Sequence, residues 1–378
     1  MKPLRVTVIG TLDQRLPRTR TLIQGLELAN CEVAVRSVPL WGEKRSSLPS
    51  KGRLALALRA LVAIPRLIWA AATAPRSDAF LVGYPGHLDV LVLAPIARLR
   101  RIPLVWDVFI SLHNTVVEDR QLASANSMIG RFTRWLDVTA TRLASLVLAD
   151  TRPHAEYFAK LAGIPMSRCA VVPVGAQQDV FFPIYEVEPE PRSVLFYGTF
   201  VPLQGVSTII RAAKLLEPDG VTVRVIGRGQ DGSAVDDLIA DLAPSNLERL
   251  EWVPLAQLPR EIARAEVCLG VFGTSSKAAR VVPNKVYECV AMGRPVVTAD
   301  TPAIRSIFHE GELALVEPGD PAALADTIRR LLDDPDERAT LGKKGRERYE
   351  LDLATPLIGA RVRDEVLALT GAEQPAWT

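Results

Sequence analysis

Two ionisable residues at helical spacing carry the most pointed chemistry in this chain. Lys285 and Glu288 stand three apart in Pro283-Asn284-Lys285-Val286-Tyr287-Glu288-Cys289-Val290-Ala291-Met292-Gly293-Arg294-Pro295. That spacing sets them on one face of a helix whose other face is apolar, with Gly293 as the stop and Val296-Val297 opening a strand. A cation near a helix N-terminus adds a full charge to the orphan N–H groups there. A carboxylate one turn on can accept hydrogen bonds from ribose hydroxyls. The segment therefore reads as a place to hold a phosphorylated sugar. The plain alternative is an i,i+3 ion pair on an exposed helix, worth about 0.2–0.5 kcal/mol.

Other candidates follow strands. Gly10-Thr11-Leu12 ends the strand Arg5–Gly10 and leads to Arg18 and Arg20, which are placed either to reach a phosphate or acceptor anion or as ordinary surface arginines. Gly198-Thr199-Phe200-Val201-Pro202-Leu203-Gln204-Gly205 is a strand–loop–helix junction whose free N–H groups suit a diphosphate. Gly227-Arg228-Gly229 is a weaker signal of the same kind, since any strand-to-loop turn can use two glycines. Asp107 stands at the end of the strand Pro103–Val108, where a capping or turn aspartate is the plain reading. His113 lies beyond it, and His87 follows another strand in Gly83-Tyr84-Pro85-Gly86-His87. No DxD triplet and no His/Cys ligand spacing occurs, so neither a metal nor a cofactor is expected. The dinucleotide fingerprint GxGxxG is absent after the first strand, which argues against a nucleotide-dependent oxidoreductase.

These residues need rigid elements behind them. Short apolar strands alternate with amphipathic helices throughout, the pattern of parallel sheets covered on both faces. The pattern runs once to about 184, breaks at the charged, proline-broken stretch 185–192, and restarts at Ser193. The expected architecture is α/β: two Rossmann-like domains facing across a cleft. Residues 1–184 are expected to form the first domain, 185–192 a hinge, 193–352 the second domain, and 353–378 a helix crossing back to the first domain. Ligands in such open sheets bind at the C-terminal edges of the strands.

Composition bounds the rest. The 378 residues are 48% hydrophobic and 23% charged, enough for two globular cores, and the net charge of +2 gives no case for nucleic-acid binding. Cys31, Cys169, Cys268 and Cys289 form no CxxC pair and read as buried free thiols. Neither a secretory signal nor a membrane-spanning run is legible, so a cytoplasmic protein is expected. From Lys44 to Arg76 seven basic residues occur with no acid, interleaved with apolar residues and Trp69. Such a stretch suits contact with an anionic membrane surface at the inner face; a core-facing helix with a solvated basic side, kinked at Pro65, is the alternative.

Four segments in this order resemble the GT-B glycosyltransferases of the GT4-like (family 4, group 1) retaining class. Val171-Val172-Pro173-Val174-Gly175-Ala176 with Phe182-Pro183 resembles the stretch that closes the family's first domain. Leu195-Phe196-Tyr197-Gly198 with Gly205 resembles its donor loop. Asn284–Glu288 with Gly293–Val297 resembles its donor helix, and Val316–Asp320 through Leu331-Leu332 its later tail. The resemblance implies metal-independent transfer of a sugar from a nucleotide-sugar donor to a glycan, lipid-linked or small-molecule acceptor, with retention of anomeric configuration. It implies an acceptor-binding domain at 1–184, a nucleotide-sugar-binding domain at 193–352, and donor contacts from Gly10, Gly198, Thr199, Gln204, Gly227, Arg228, Arg280, Asn284, Lys285 and Glu288. It also implies a polar group near the reacting sugar from the first half: Asp107 is the first choice for an acceptor-side base or sugar contact, with His87 and His113 as further acceptor-side candidates.

This chain departs from the family at charged positions. Many members carry a further glutamate where Arg280 stands, and an arginine and a lysine where Thr199 and Gln204 stand. The cationic role then falls to Lys285, Arg228 or Arg280. The same departures keep a catalytically silent, glycosyltransferase-like partner protein as the alternative.

Overall fold

The computed structural model describes residues 3–38 and 53–371, with the side chains of 53–61 outside the described set. The positions Lys44, Arg45 and Lys51 of the basic stretch, and the side chains of Arg53 and Arg59, therefore lie outside the described residues. The chain divides into two compact units. Unit 1 comprises Met1–Val117, Ala123–Pro173 and Thr355–Thr378; unit 2 comprises Glu118–Leu122 and Val174–Ala354.

Unit 1 contains β1 (Arg5–Gly10), α1 (Pro17–Leu28), β2 (Glu32–Ser37), α2 (Arg53–Ala72), β3 (Ala79–Val82), α3 (His87–Arg100), β4 (Leu104–Asp107), α4 (Met128–Leu143), β5 (Leu146–Ala149), α5 (Arg152–Ala162) and β6 (Cys169–Val171). Its strands pair in parallel in the order β2-β1-β3-β4-β5-β6. Side chains alternate between the faces, as the pleat requires. Phe80, Val82 and Trp106 meet α2, α3, α4 and α5 on one side. Leu81, Val105 and Leu148 meet α1 on the other.

Unit 2 contains β7 (Ser193–Tyr197), α6 (Val206–Leu215), β8 (Thr222–Ile226), α7 (Gly232–Leu242), β9 (Leu247–Leu250), α8 (Leu258–Arg264), β10 (Val267–Leu269), α9 (Asn284–Ala291), β11 (Val296–Ala299), α10 (Pro302–Arg305), β12 (Ala314–Val316), α11 (Pro321–Asp333) and α12 (Pro335–Arg348). Its sheet is also parallel, ordered β12-β11-β10-β7-β8-β9. One face packs on α6, α7 and α11 through Ile209, Val235, Leu324 and Ile328.

The last helix, α13 (Thr355–Thr370), packs on α1 in unit 1, where Ile358, Val362 and Val366 join the core below the sheet. The two helices touch backbone to backbone: a Cβ on Gly359 would stand 1.8 Å from the carbonyl oxygen of Gly25. Only glycine at both positions allows that approach.

The observed boundaries differ from the expected ones. The long run of unit 1 stops at Pro173, before 184, and the unit resumes at Thr355. The stretch 185–192, expected as a hinge, lies within unit 2, where Glu190 is held by Arg224 at 3.2 Å and by Arg264. The apolar residues of Leu250–Val253 predict a strand there, but β9 lies at Leu247–Leu250. It is an edge strand of alternating half-buried and exposed residues, so no continuous apolar run marks it.

Candidate active site

The best-defined constellation in unit 2 gathers at the C-terminal ends of β7 and β10 and the start of α9. Tyr197 is the last residue of β7, and Gly198 follows it with its N–H donating to Ile226 O of β8 at 2.9 Å. Gly227 continues β8 beside it. Lys285 is the second residue of α9, and Glu288 lies one turn further on.

Lys285 is almost completely buried, with 4% of its surface exposed. Its Nζ donates to Gln204 Oε1 at 2.6 Å and lies 3.5 Å from Gly270 O. It also sits 3.6 Å from the centre of the Phe196 ring, a cation–π contact. Burial pulls the ammonium well below the ordinary lysine range. Gly198 makes room for it, since a Cβ there would come within 2.8 Å of the Lys285 Nζ.

Glu288 accepts a hydrogen bond from Tyr197 Oη at 2.7 Å. Burial raises its carboxyl to about 7, against the opposing effects of the Tyr197 hydrogen bond and the Lys285 charge. The same burial pushes the Tyr197 phenol well above its usual range. Lys285 and Glu288 therefore do not close the i,i+3 ion pair that was the plain alternative: each has its own partner on β7 or the loop after it. Tyr197 and Phe196 stand in the segment that resembles the family's donor loop, but nothing in their spacing signals that one holds the carboxylate and the other the ammonium.

The remaining donor-side candidates divide. Gln204 is buried against Lys285, whereas Thr199 and Arg228 are exposed and Asn284 is half-buried. Arg280 is engaged elsewhere, donating to Glu118 Oε2 at 2.9 Å and to Ser276 O at 2.8 Å. This corrects the expectation of a cation standing ready at that position. A second pair lies alongside: Lys277 Nζ is 3.1 Å from Asp119 Oδ2, while Asp119 Oδ1 accepts the Leu203 N–H at 3.1 Å. Asp119 thus fixes the loop that follows β7. Of the three candidate cations, Lys285 alone is inside the constellation.

Unit 1 tells a different story about its candidates. Arg18 is 2% exposed and donates to Asp107 Oδ1 through Nη2 at 2.8 Å and Nε at 3.1 Å. Its Nη1 donates to Pro173 O at 2.5 Å. Asp107 is 1% exposed, with both oxygens turned to that guanidinium. This corrects two expectations: Asp107 is a buried ion-pair partner rather than an open base, and Arg18 is not directed at an acceptor anion. Arg20 is half-buried on α1.

His87 is also a core residue. Its Nδ1 lies 2.5 Å from Pro85 O, its Nε2 3.0 Å from Asp137 Oδ1, and its ring meets Trp106 edge-on. Asp137 organises the neighbouring loop by accepting from Ser111 Oγ at 2.6 Å and from the N–H groups of Leu112 and His113 at 3.0 Å. His113 is buried, with Nδ1 3.0 Å from Gly130 O. The loop after β1 is pinned as well: Thr11 donates to Asp89 Oδ2 through its N–H at 2.7 Å and its hydroxyl at 3.0 Å. Burial lifts the Asp89 carboxyl to about 6.

Comparison with known proteins gives the family and the fold. Residues 191–334 match the family described as glycosyl transferases group 1, and residues 4–175 match the glycosyl transferase 4-like domain. An MMP alpha-(1->4)-mannosyltransferase of Mycolicibacterium hassiacum is 27% identical over 295 residues, covering 72% of this chain and 69% of that protein. A D-inositol 3-phosphate glycosyltransferase of Thermobispora bispora is 28% identical over 220 residues, covering 53% of this chain and 50% of that protein. Among solved structures, Anabaena HepE in complex with UDP superposes with a TM-score of 0.68 at 16% identity, covering 97% of this chain and all of that one (100%). The sucrose-phosphate synthase of Thermosynechococcus elongatus gives 0.74 at 17% identity, covering 99% and 100%. The chain belongs to the group 1, family 4-like glycosyltransferases of the GT-B fold, and its activity is glycosyl transfer from a nucleotide-sugar donor.

Proposed function

We propose that this glycosyltransferase binds the diphosphate of its donor at Lys285 and the start of α9, and transfers a hexosyl group with retention of anomeric configuration. The observation that carries the reading is the environment of Lys285. Its ammonium is buried beside Gln204 and the Phe196 ring at the N-terminal turn of a helix. A diphosphate at that turn would supply the negative charge that an interior lysine lacks, and would accept hydrogen bonds from the first N–H groups of α9. Preorganised donors and a cation in a site of low polarity then stabilise the charge that develops on the leaving diphosphate.

Glu288 fits the donor's hydroxyl-bearing part. With its carboxyl near 7, it can accept from a ribose hydroxyl when ionised and donate to one when protonated. Retention and metal independence follow the family's usual chemistry and belong to this proposal. No catalytic cofactor is included. The HepE complex with UDP makes a uridine donor the first to test, and the mannosyl- and inositol phosphate-directed relatives make a polyol or glycan acceptor the first acceptor class. Association with an anionic membrane surface is the remaining part of the reading. Among the described residues no helix is long and apolar enough to cross a membrane.

The test is turnover of radiolabelled UDP-, GDP-, ADP- and dTDP-sugars, with the anomeric configuration of the product read by proton NMR. Transfer or hydrolysis of one donor with retained configuration is the expected result. An inverted product refutes retention. Inertness toward every donor, with nucleotide binding intact, would instead favour the silent-partner reading that the arginine at 280 motivates.

A further inference from the structure

We propose that the outer faces of α2 and α4, with α3 between them, form one docking surface for an anionic phospholipid bilayer. The inference gives the membrane contact of the preceding reading a location centred on α4, and it is independent of the donor site. The three helices cover the same side of the unit 1 sheet, and α3 packs against both neighbours. Their inward sides are ordinary: Ala63, Leu67 and Ala71 from α2 and Ala140 from α4 enter the core.

The outward sides are not. On α2, Val62, Ile68 and Trp69 face solvent, Trp69 with 71% of its surface exposed. On α4, Ile129, Phe132 and Trp135 do the same at 50% exposure or more, and the two rings stack with centroids 5.8 Å apart. Trp69 and Trp135 are the exposed tryptophans among the described residues of this unit. The fold does not demand such a surface. The next helix in the same layer, α5, presents the solvated pair Arg152–Glu156 outward.

Charge decides what covers the face. Arg66, Arg98, Arg131 and Arg134 are exposed on the described parts of the three helices. The two acids these parts carry, Asp89 and Asp137, are buried and bound to Thr11 and to the Ser111–His113 loop. A solvated or protein-binding face mixes both signs. Aromatic rings interleaved with arginines of one sign match the headgroup zone, where indole rings sit at the boundary and guanidinium groups reach lipid phosphates.

The test is co-sedimentation of the full chain with phosphatidylcholine vesicles, with and without phosphatidylglycerol. Two α4 variants are compared with the parent: Ile129→Ser/Phe132→Ser/Trp135→Ser and Arg131→Glu/Arg134→Glu. All five side chains are exposed, so both variants should fold, and UDP titration of each reports the integrity of unit 2. The parent should bind the anionic vesicles only, and each variant should bind about tenfold more weakly or less. A parent that stays in the supernatant, or variants that sediment like it, overturns the proposal. So does a parent dimer that the apolar variant dissociates in light scattering, since a second copy would then cover the face. Vesicle binding without any nucleotide binding would leave this proposal standing and sink the donor-site reading.

Discussion

An interior ammonium is costly in an empty site and useful in a filled one, and Lys285 shows both sides. Its pKa is drawn down by burial, with Gln204 Oε1 as its near polar contact at 2.6 Å. Lys285→Met keeps the volume and removes the charge. It should raise the thermal midpoint of the ligand-free protein in calorimetry, because an ill-compensated buried charge is replaced by an apolar chain. It should also weaken nucleoside diphosphate binding by about 2–3 kcal/mol, roughly 30- to 150-fold. Glu288 makes a prediction with a defined sign. Its carboxyl lies at about 7 in the fold against an ordinary 4.5, so the folded state holds the proton more tightly. Its contribution to stability is therefore largest below pH 4.5, falls as pH rises to about 7, and is level above. Glu288→Gln should remove up to about 3 kcal/mol of that slope, read from urea midpoints across this range for both proteins. The Lys285 and Glu288 positions were legible because their relation is local, three residues on one helix. Arg18 and Asp107 were legible only as types. Their pairing joins positions 89 residues apart, which no local pattern encodes. Asp107→Asn leaves the Arg18 guanidinium buried without its counter-charge and should cost about 3–5 kcal/mol in urea unfolding. A loss below about 1 kcal/mol, the range of exposed pairs, would contradict a structural role.

Elements that bury an unbroken apolar run announce themselves. Ala79–Val82 and Leu146–Ala149 are buried at every position, and the apolar runs predict both. The edge strand β2 does not, because none of Glu32–Ser37 is fully buried and exposed Glu32 and Arg36 flank its half-buried centre. The three-residue strand β12 is too short to show a period. Helix α5 opens on a local signal, the Thr151 cap, which accepts from the His154 N–H. α2 runs through Pro65, and its outward apolar residues were masked in the sequence by an equally apolar inward side. α13 is the element whose removal has the clearest outcome. Ile358, Val362 and Val366 are buried against α1, and each contributes about 1.5–3 kcal/mol of burial. Deleting residues 355–378 should raise hydrogen exchange across α1 by orders of magnitude while amides in β7 and β8 keep their protection. Unchanged exchange in α1 would show that the docking of α13 adds nothing to unit 1.

At the scale of the whole molecule, the net charge of +2 conceals a local asymmetry. Exposed arginines and aromatic rings share the α2–α4 face, while the neutralising acids of those helices are turned inward. Composition gives no case for a general polyanion partner, and the location of a basic apolar surface needed the fold. The two parallel sheets were readable from strand and helix alternation, and the family from four segments in order. The division of labour among cations was not: Arg280 and Lys277 are drawn to Glu118 and Asp119, leaving Lys285 within the constellation at the ends of β7 and β10. That assignment is the centre of the account, and calorimetric titration tests it directly. UDP, GDP, ADP and dTDP are titrated into the parent protein, Lys285→Met and Arg280→Met at one salt concentration. One nucleotide should bind the parent, lose roughly 30-fold or more of its affinity in Lys285→Met, and bind Arg280→Met nearly as well as the parent. Equal affinity for the parent and a folded Lys285→Met, or a larger loss in Arg280→Met, would contradict it.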